Sequence, residues 1–276
     1  MVRYKQMNKK IIYISLIVIG ALLIGFSAFR IISSNLEYTA ARNEYRDLSD
    51  IFRANLLFRP PPVPVLRAES EDYEYQHEPE FESEPEAESD DEEFVDPVEV
   101  LREINPDFIG WIWMDGILDY PIVQGADNIR YLNTTFKGER NQSGAIFMDY
   151  RNNADFDGQV TIIYGHNMRD GSMFAPLHQF RGAALLDVNR DFIIVTSDLR
   201  ALTYRIVAAR IVNVWDVEND PTQKTVASVR GAVHEIPEDA EYIVILSTCT
   251  PTADRNERLR IYAVRTSYFQ VSAARS

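Results

Sequence analysis

Polar and apolar positions divide the chain into stretches of different physical character. From Ile11 to Phe29 the sequence IIYISLIVIGALLIGFSAF carries no charge, which is long enough for a helix to cross a hydrocarbon core. Asn35 to Phe58 is charged and amphipathic and reads as a juxtamembrane helix. It ends at Arg59-Pro60-Pro61-Pro62-Val63-Pro64, where successive prolines forbid a helix and favour extended backbone. An acidic, Glu/Pro/Ser-rich stretch follows to Glu93, without apolar periodicity, and is expected to be an extended, disordered spacer holding a domain away from the membrane. The pattern predicts residues 1–10 as a terminal segment, 11–29 as the span, 30–93 as helix and tether, and 94–276 as a folded domain.

Within that domain Asp96-Pro97-Val98-Glu99 supplies an N-cap acceptor, a proline at N1 and a glutamate at N3, predicting a helix to about Ile104. From Gly110 onward short β-rich runs alternate with Gly, Asn and Asp. Strands are predicted at Trp111–Met114, Leu118–Val123, Ala145–Tyr150, Val160–Tyr164, Phe192–Val195, Leu202–Trp215, Tyr242–Leu246 and Leu259–Thr266. Short helices are expected near Ile129–Asn133 and Met173–Phe180, and a longer one from Pro221 to about His234. Eight strands without regular βαβ alternation point to a mostly β fold, a closed or nearly closed antiparallel-type barrel.

Charge changes this picture little. The formal net charge is −14, but about fifteen acidic residues and no Lys or Arg lie between Glu69 and Asp96, so the remainder is near neutral. No basic surface suggests nucleic acid. Arg3, Lys5, Lys9 and Lys10 precede the apolar run, so the positive-inside rule puts the N-terminus in the cytoplasm and the domain outside. A cleaved secretory signal is the alternative, but the run is long for one and no clean small-x-small cleavage site follows.

Export makes the single cysteine informative, since one thiol cannot form an internal disulfide. Cys249 follows Tyr242-Ile243-Val244-Ile245-Leu246-Ser247-Thr248 and precedes Pro251, which marks the end of a strand. It sits at the lip of that strand. His166 occupies the same setting after Val160-Thr161-Ile162-Ile163-Tyr164-Gly165, and Gly165 is read as relieving crowding beside the imidazole. Of the other histidines, His77 lies in the acidic run, His234 at a helix end, and His178 on a short helix with Phe174 and Leu177, where packing is expected. A histidine beside a thiol can act as base for attack and acid for a leaving amine. About nine residues after Cys249 the last strand opens with Arg258 and Arg260, which share a strand face; either can hold a developing oxyanion. No metal set, phosphate loop or G-x-S-x-G elbow is present, and no cofactor is expected.

Together these segments resemble the sortase family, class B above the other classes. Leu246-Ser247-Thr248-Cys249 is similar to the family's TLxTC motif, with Ile245 where threonine often stands. Tyr164-Gly165-His166-Asn167-Met168 and Asp170-Gly171-Ser172-Met173-Phe174 are similar to the class B histidine segment. Ile104 to Ile112, Asp119 to Gln124, Asp127-Asn128, Tyr131-Leu132 and Gly144 to Arg151 continue the resemblance, which covers roughly Val95 to Phe269. It implies an eight-stranded sortase barrel with an N-terminal helical element and a long helix before the cysteine strand. It also implies a membrane-anchored transpeptidase that cleaves a C-terminal sorting motif of secreted proteins through a thioacyl enzyme. The acyl group then passes to an amine of a peptidoglycan precursor or a pilin lysine. By position Cys249 matches the nucleophile, His166 the acid/base and Arg258 the arginine that starts the final strand, though Arg260 departs from the apolar run expected there. Ser247, Thr248 and Asn167 are the expected substrate contacts. A thiol hydrolase using the same Cys/His pair, or a surface binding module with an incidental cysteine, are the alternatives.

Overall fold

The computed structural model of the chain describes residues 2–54, 96–182, 191–214, 225–251 and 256–271. The Pro-rich segment, the acidic run, the predicted domain start at Phe94 and the first residues of the helix predicted from Pro221 therefore lie outside the described residues.

One helix, α1 (Val2–Ala54), takes in both the apolar run and the amphipathic segment. It is the one helix among the described residues long and apolar enough to cross a membrane. From Ile12 to Ile32 its large apolar side chains are exposed. Beyond that, Ala41, Tyr45, Leu48 and Phe52 are buried, recurring at three- and four-residue intervals along one helical face. They pack on the barrel: Phe52 stacks on Trp111 at 4.4 Å, Tyr45 Oη donates to the Gly144 carbonyl at 2.6 Å, and Arg53 pairs with Asp119 at 2.7 Å. The chain reaches the barrel through α1 before it reaches the acidic residues, which connect α1 to the next docked helix, α2 (Pro97–Ile104). The Asp96 side chain caps α2 by accepting from the Val98 N–H at 2.9 Å.

Eight strands close a barrel in the order β1-β2-β3-β4-β7-β8-β6-β5. They are β1 (Phe108–Met114), β2 (Leu118–Val123), β3 (Ile146–Met148), β4 (Val160–Tyr164), β5 (Asp191–Thr196), β6 (Arg200–Asn213), β7 (Ile243–Cys249) and β8 (Glu257–Gln270). The expectation of an antiparallel barrel needs correction at two seams, because β2 runs parallel to β3 and β4 parallel to β7. Each parallel pair is joined by a long excursion of loop or further elements instead of a regular crossover helix, so βαβ alternation is absent from the sequence while the parallel pairing remains. Short 3₁₀ helices lie at Arg130–Leu132 and Ala175–Arg181. The helix described before β7 is α3 (Val226–Ala232), which starts at an N-cap formed by extended Thr225 and its hydroxyl and is shorter than the expected Pro221–His234.

The apolar run of β7 is continuous because both of its faces are covered. Val244 and Leu246 point into the barrel core with Ile163, Leu259, Ile261 and Ala263. Ile243 and Ile245 point outward under α3, against Val160, Ile162, Tyr262, Val226 and Val229.

The α1 face is accordingly part of the fold. Leu48 is 0 % exposed, so Leu48→Ala is expected to cost about 3 kcal/mol and lower the thermal midpoint by roughly 6–12 °C. The neighbouring exposed Asp47→Ala serves as control. A Leu48→Ala protein melting with the parent would mean the helix is not docked.

Candidate active site

Register decides which side chains meet. In the β7–β8 ladder Cys249 is the cross-strand partner of Arg258 and Ser247 that of Arg260. In the parallel β4–β7 ladder Tyr164 lies level with Ser247, and the Gly165 N–H continues the pairing to the Ser247 carbonyl at 3.2 Å. His166 therefore leaves the ladder beside the end of β7 that carries Cys249. Alternation along β7 puts Cys249 and Ser247 on the outer face, in line with Ile245 and Ile243 under α3. Cys249, His166 and Arg258 are all half-buried.

Thr248 lies on the other face. Its partner Leu259 belongs to the barrel core, it is 2 % exposed, and its Oγ1 is buried without a hydrogen-bond partner. Thr248 thus points into the barrel, away from the face that carries Cys249. Ser247 is on the right face but 3 % exposed. Asn167 lies in the loop beyond His166, bridged to Met173. With Met168, Arg169 and Asp170 it lines a groove of about 700 Å³ against Arg30–Tyr38 of α1, so it faces the helix side of the site.

The histidine is held from several directions. Its Nε2 lies 2.7 Å from the Leu132 carbonyl; a carbonyl only accepts, so Nε2 carries a hydrogen and Nδ1 is the nitrogen left for chemistry. Its own carbonyl accepts from the Phe174 N–H at 2.9 Å. Gly144, at φ +56°, allows the backbone to approach the peptide that presents the Leu132 carbonyl, where a Cβ would lie 2.4 Å from the Tyr131 oxygen. Gly165 is needed for a reason other than the expected one. A Cβ there would sit 2.6 Å from Ile146 Cδ1 and 2.7 Å from the Phe174 ring, so the crowding relieved is with the core and not with the imidazole.

Two features of the site were not anticipated. Asp149, just beyond β3, is fully buried and accepts from Arg151 Nε at 2.9 Å and Nη2 at 2.8 Å, Asn128 at 2.8 Å and the Tyr164 hydroxyl at 2.9 Å. Burial pushes its carboxyl up, but these bonds outweigh burial and hold it below the ordinary carboxylate range. Burial and the neighbouring Asp149 raise the Tyr164 phenol. Together they pin the end of β4 two residues before His166. A buried aspartate at a strand end has no periodic signature, so only the Asp149-Tyr150-Arg151 spacing hinted at it. The second is His178, whose Nε2 lies 3.0 Å from the Cys249 carbonyl. The expected packing role for this residue is incomplete.

No hydrogen bond joins the Cys249 thiol to the His166 ring among the described residues, as is common before a substrate is bound. The arrangement offers a half-exposed thiol, an imidazole with Nδ1 available and a guanidinium across the strand, which is the equipment of thiol acyl transfer.

Comparison with known proteins agrees with this chemistry. The model of the sortase domain matches residues 114–266. Over 103 residues the chain is 43% identical to sortase B of Listeria monocytogenes, covering 37% of this chain and 39% of that protein. Over 83 residues it is 43% identical to sortase B of Staphylococcus aureus, covering 30% and 34%. The matched stretches thus span little more than a third of these relatives' length. A Streptococcus pyogenes class B sortase involved in pilus biogenesis has a TM-score of 0.55 and 28% identity, covering 61% of this chain and 97% of that one. With the domain match extending over more than half of its residues, on a closed eight-stranded barrel, the chain belongs to the sortase family.

Proposed function

We propose that the protein is a membrane-anchored transpeptidase that cuts a C-terminal sorting motif in secreted proteins and passes the acyl fragment to an amine. The observation that carries this reading is the register: Cys249 and Arg258 are cross-strand partners, and His166 leaves the adjoining parallel strand beside them. In this reading the Cys249 thiolate forms a C–S bond to the scissile carbonyl carbon, and the carbonyl electron pair moves onto oxygen beside the Arg258 guanidinium. Collapse breaks the C–N bond, and the proton on His166 Nδ1 goes to the leaving nitrogen. An acceptor amine then attacks the thioester, gives a proton back to Nδ1 and releases the thiolate. The acceptor is an amine of a cell-wall precursor or a pilin lysine.

Arg258 is favoured over Arg260 for the oxyanion side. Arg260 pairs with Ser247, one layer below, and its field reaches the half-buried Tyr164. The basic residues before the apolar run support a cytoplasmic N-terminus with the barrel outside.

Two measurements test the reading. The full chain in detergent, and its Cys249→Ala variant, are incubated with quenched pentapeptides carrying NPxTx- and LPxTx-like motifs, with and without an added amine, and followed by mass spectrometry. A thioacyl adduct on Cys249 that transfers to the amine is expected, with none in Cys249→Ala. Cleavage that ends only on water would assign a hydrolase, and an inert thiol across the library would leave a binding module. In the same assay Arg258→Ala is expected to lower kcat roughly 10²- to 10³-fold, as loss of one oxyanion donor does. Arg260→Ala is expected to cost less than about 10-fold; the reverse order would reassign the arginine.

A further inference from the structure

The 3₁₀ helix Ala175–Arg181 touches the backbone of both reacting residues. At its start the Phe174 N–H donates to the His166 carbonyl at 2.9 Å. Four residues later His178 Nε2 lies 3.0 Å from the Cys249 carbonyl. A carbonyl can only accept, so Nε2 is the protonated nitrogen of His178 and donates this bond. The helix is itself fixed, since Leu177 and Phe180 are 0 % and 2 % exposed in the barrel core. Met173, just before it, is buried with φ +58° and its N–H donates to the Tyr120 hydroxyl at 3.0 Å.

We propose that His178 is a positioning residue for the transpeptidation: by donating Nε2–H to the Cys249 carbonyl, it sets where the thiol stands relative to His166 and Arg258. The inference rests on Cys249 being the nucleophile of the reading above.

Three observations carry it. First, Cys249 is the last residue of β7, so beyond it the ladder no longer fixes the backbone, and the carbonyl is the next group that must be held. Second, the peptide unit is planar. A bond to the Cys249 oxygen therefore fixes the torsion that follows the Cys249 Cα, the atom that carries the thiol, and with it the direction of the following Thr250 N–H. Third, the other nitrogen of His178 is buried without a hydrogen-bond partner among the described residues. A buried ring nitrogen left unsatisfied is disfavoured, and it is tolerated here alongside the single bond to the nucleophile. Burial, then Arg181 nearby, also lowers the pKa of His178, despite the opposing bond to Cys249. The shift favours the neutral ring, and the geometry keeps its hydrogen on Nε2 as the donor to Cys249. Since one short helix holds His166 at one end and Cys249 through His178, the two strand ends are locked to the same rigid piece.

The test compares His178→Gln with His178→Met in the full chain. Both replacements have the same length and nearly the same shape, but only glutamine keeps an N–H at the place of Nε2. Two readouts are used: kcat and KM for a cleaved sorting peptide, and the pH dependence of Cys249 alkylation by iodoacetamide. Alkylation needs no sorting peptide, so it reads the thiol even if no peptide in the library is cut. His178→Met is expected to lower kcat roughly 10- to 100-fold with KM within a factor of about three, as a misplacement of reacting groups does. Its alkylation profile is expected to depart from the parent's, because the thiol stands differently relative to His166 and Arg258. His178→Gln is expected to recover most of kcat and the parent's alkylation profile. A methionine variant with the parent's kcat and alkylation profile would overturn the proposal. So would a glutamine variant as impaired as the methionine one, or losses matched in both variants by an equal fall in melting temperature, which would make His178 a packing residue only.

Discussion

The site depends on how β7 is paired with the strands on either side of it. Side chains alternate along a strand, so a slip of one residue in the β7–β8 ladder would turn Cys249 into the barrel and bring Thr248 out. The slip is opposed by burial on both faces at once. Val244 and Leu246 fill the core, while Ile243 and Ile245 fill the space under α3. Shifting the register would put Ser247 and Thr248 where apolar side chains belong, in a strand with no solvated face to absorb the error. Hydrophobic burial thus sets an angular position that the residues beyond it inherit, and Cys249 faces Arg258 because Ile245 faces Tyr262.

That coupling explains why so much of the site was legible in the sequence. An apolar run ending in polar residues marks a strand with a lip, and two such lips bearing Cys249 and His166 were visible without coordinates. The eight strands were legible for the same reason, with ends displaced by a few residues: β8 extends to Gln270, beyond the predicted Thr266. Strand direction was not legible. The β4–β7 pairing is parallel and spans about eighty residues of intervening chain, and no local pattern reports which of two distant strands lies beside a third. Nor could spacing separate Arg258 from Arg260, which share a face by alternation. The ladder separates them by assigning each a different partner on β7.

Helix α1 was read as two objects, an apolar span and a juxtamembrane helix, because its apolar character changes from all-round to one-sided near Asn35. It is one helix in which two different environments are met in succession. The one-sided part finds its cover in Trp111, Gly144 and Asp119, and its Arg42 reaches Asp170 in the loop beyond His166 at 2.9 Å. From Phe29 to Glu37, whose carbonyl already accepts from Asn141 at 2.9 Å, is eight residues, or about 12 Å of helical rise. A barrel gripped this close to the apolar run is held by a stiff rod, and the loop that carries the histidine is among the parts the rod touches.

The groups that sequence reasoning passed over are those that act on backbone or on another polar side chain. Asp149 is solvated by Arg151, Asn128 and Tyr164 instead of water; removing any one partner leaves a buried charge short of a bond, which is why such clusters are rigid. His178 holds a main-chain oxygen, so its role has no counterpart residue whose type or spacing would betray it. A motif reports the atoms that meet a substrate, because chemistry restricts their identity. The atoms that keep those in place are restricted only by geometry, and geometry of that kind becomes visible when β4, β7 and the Ala175–Arg181 helix are seen converging on the same two carbonyls.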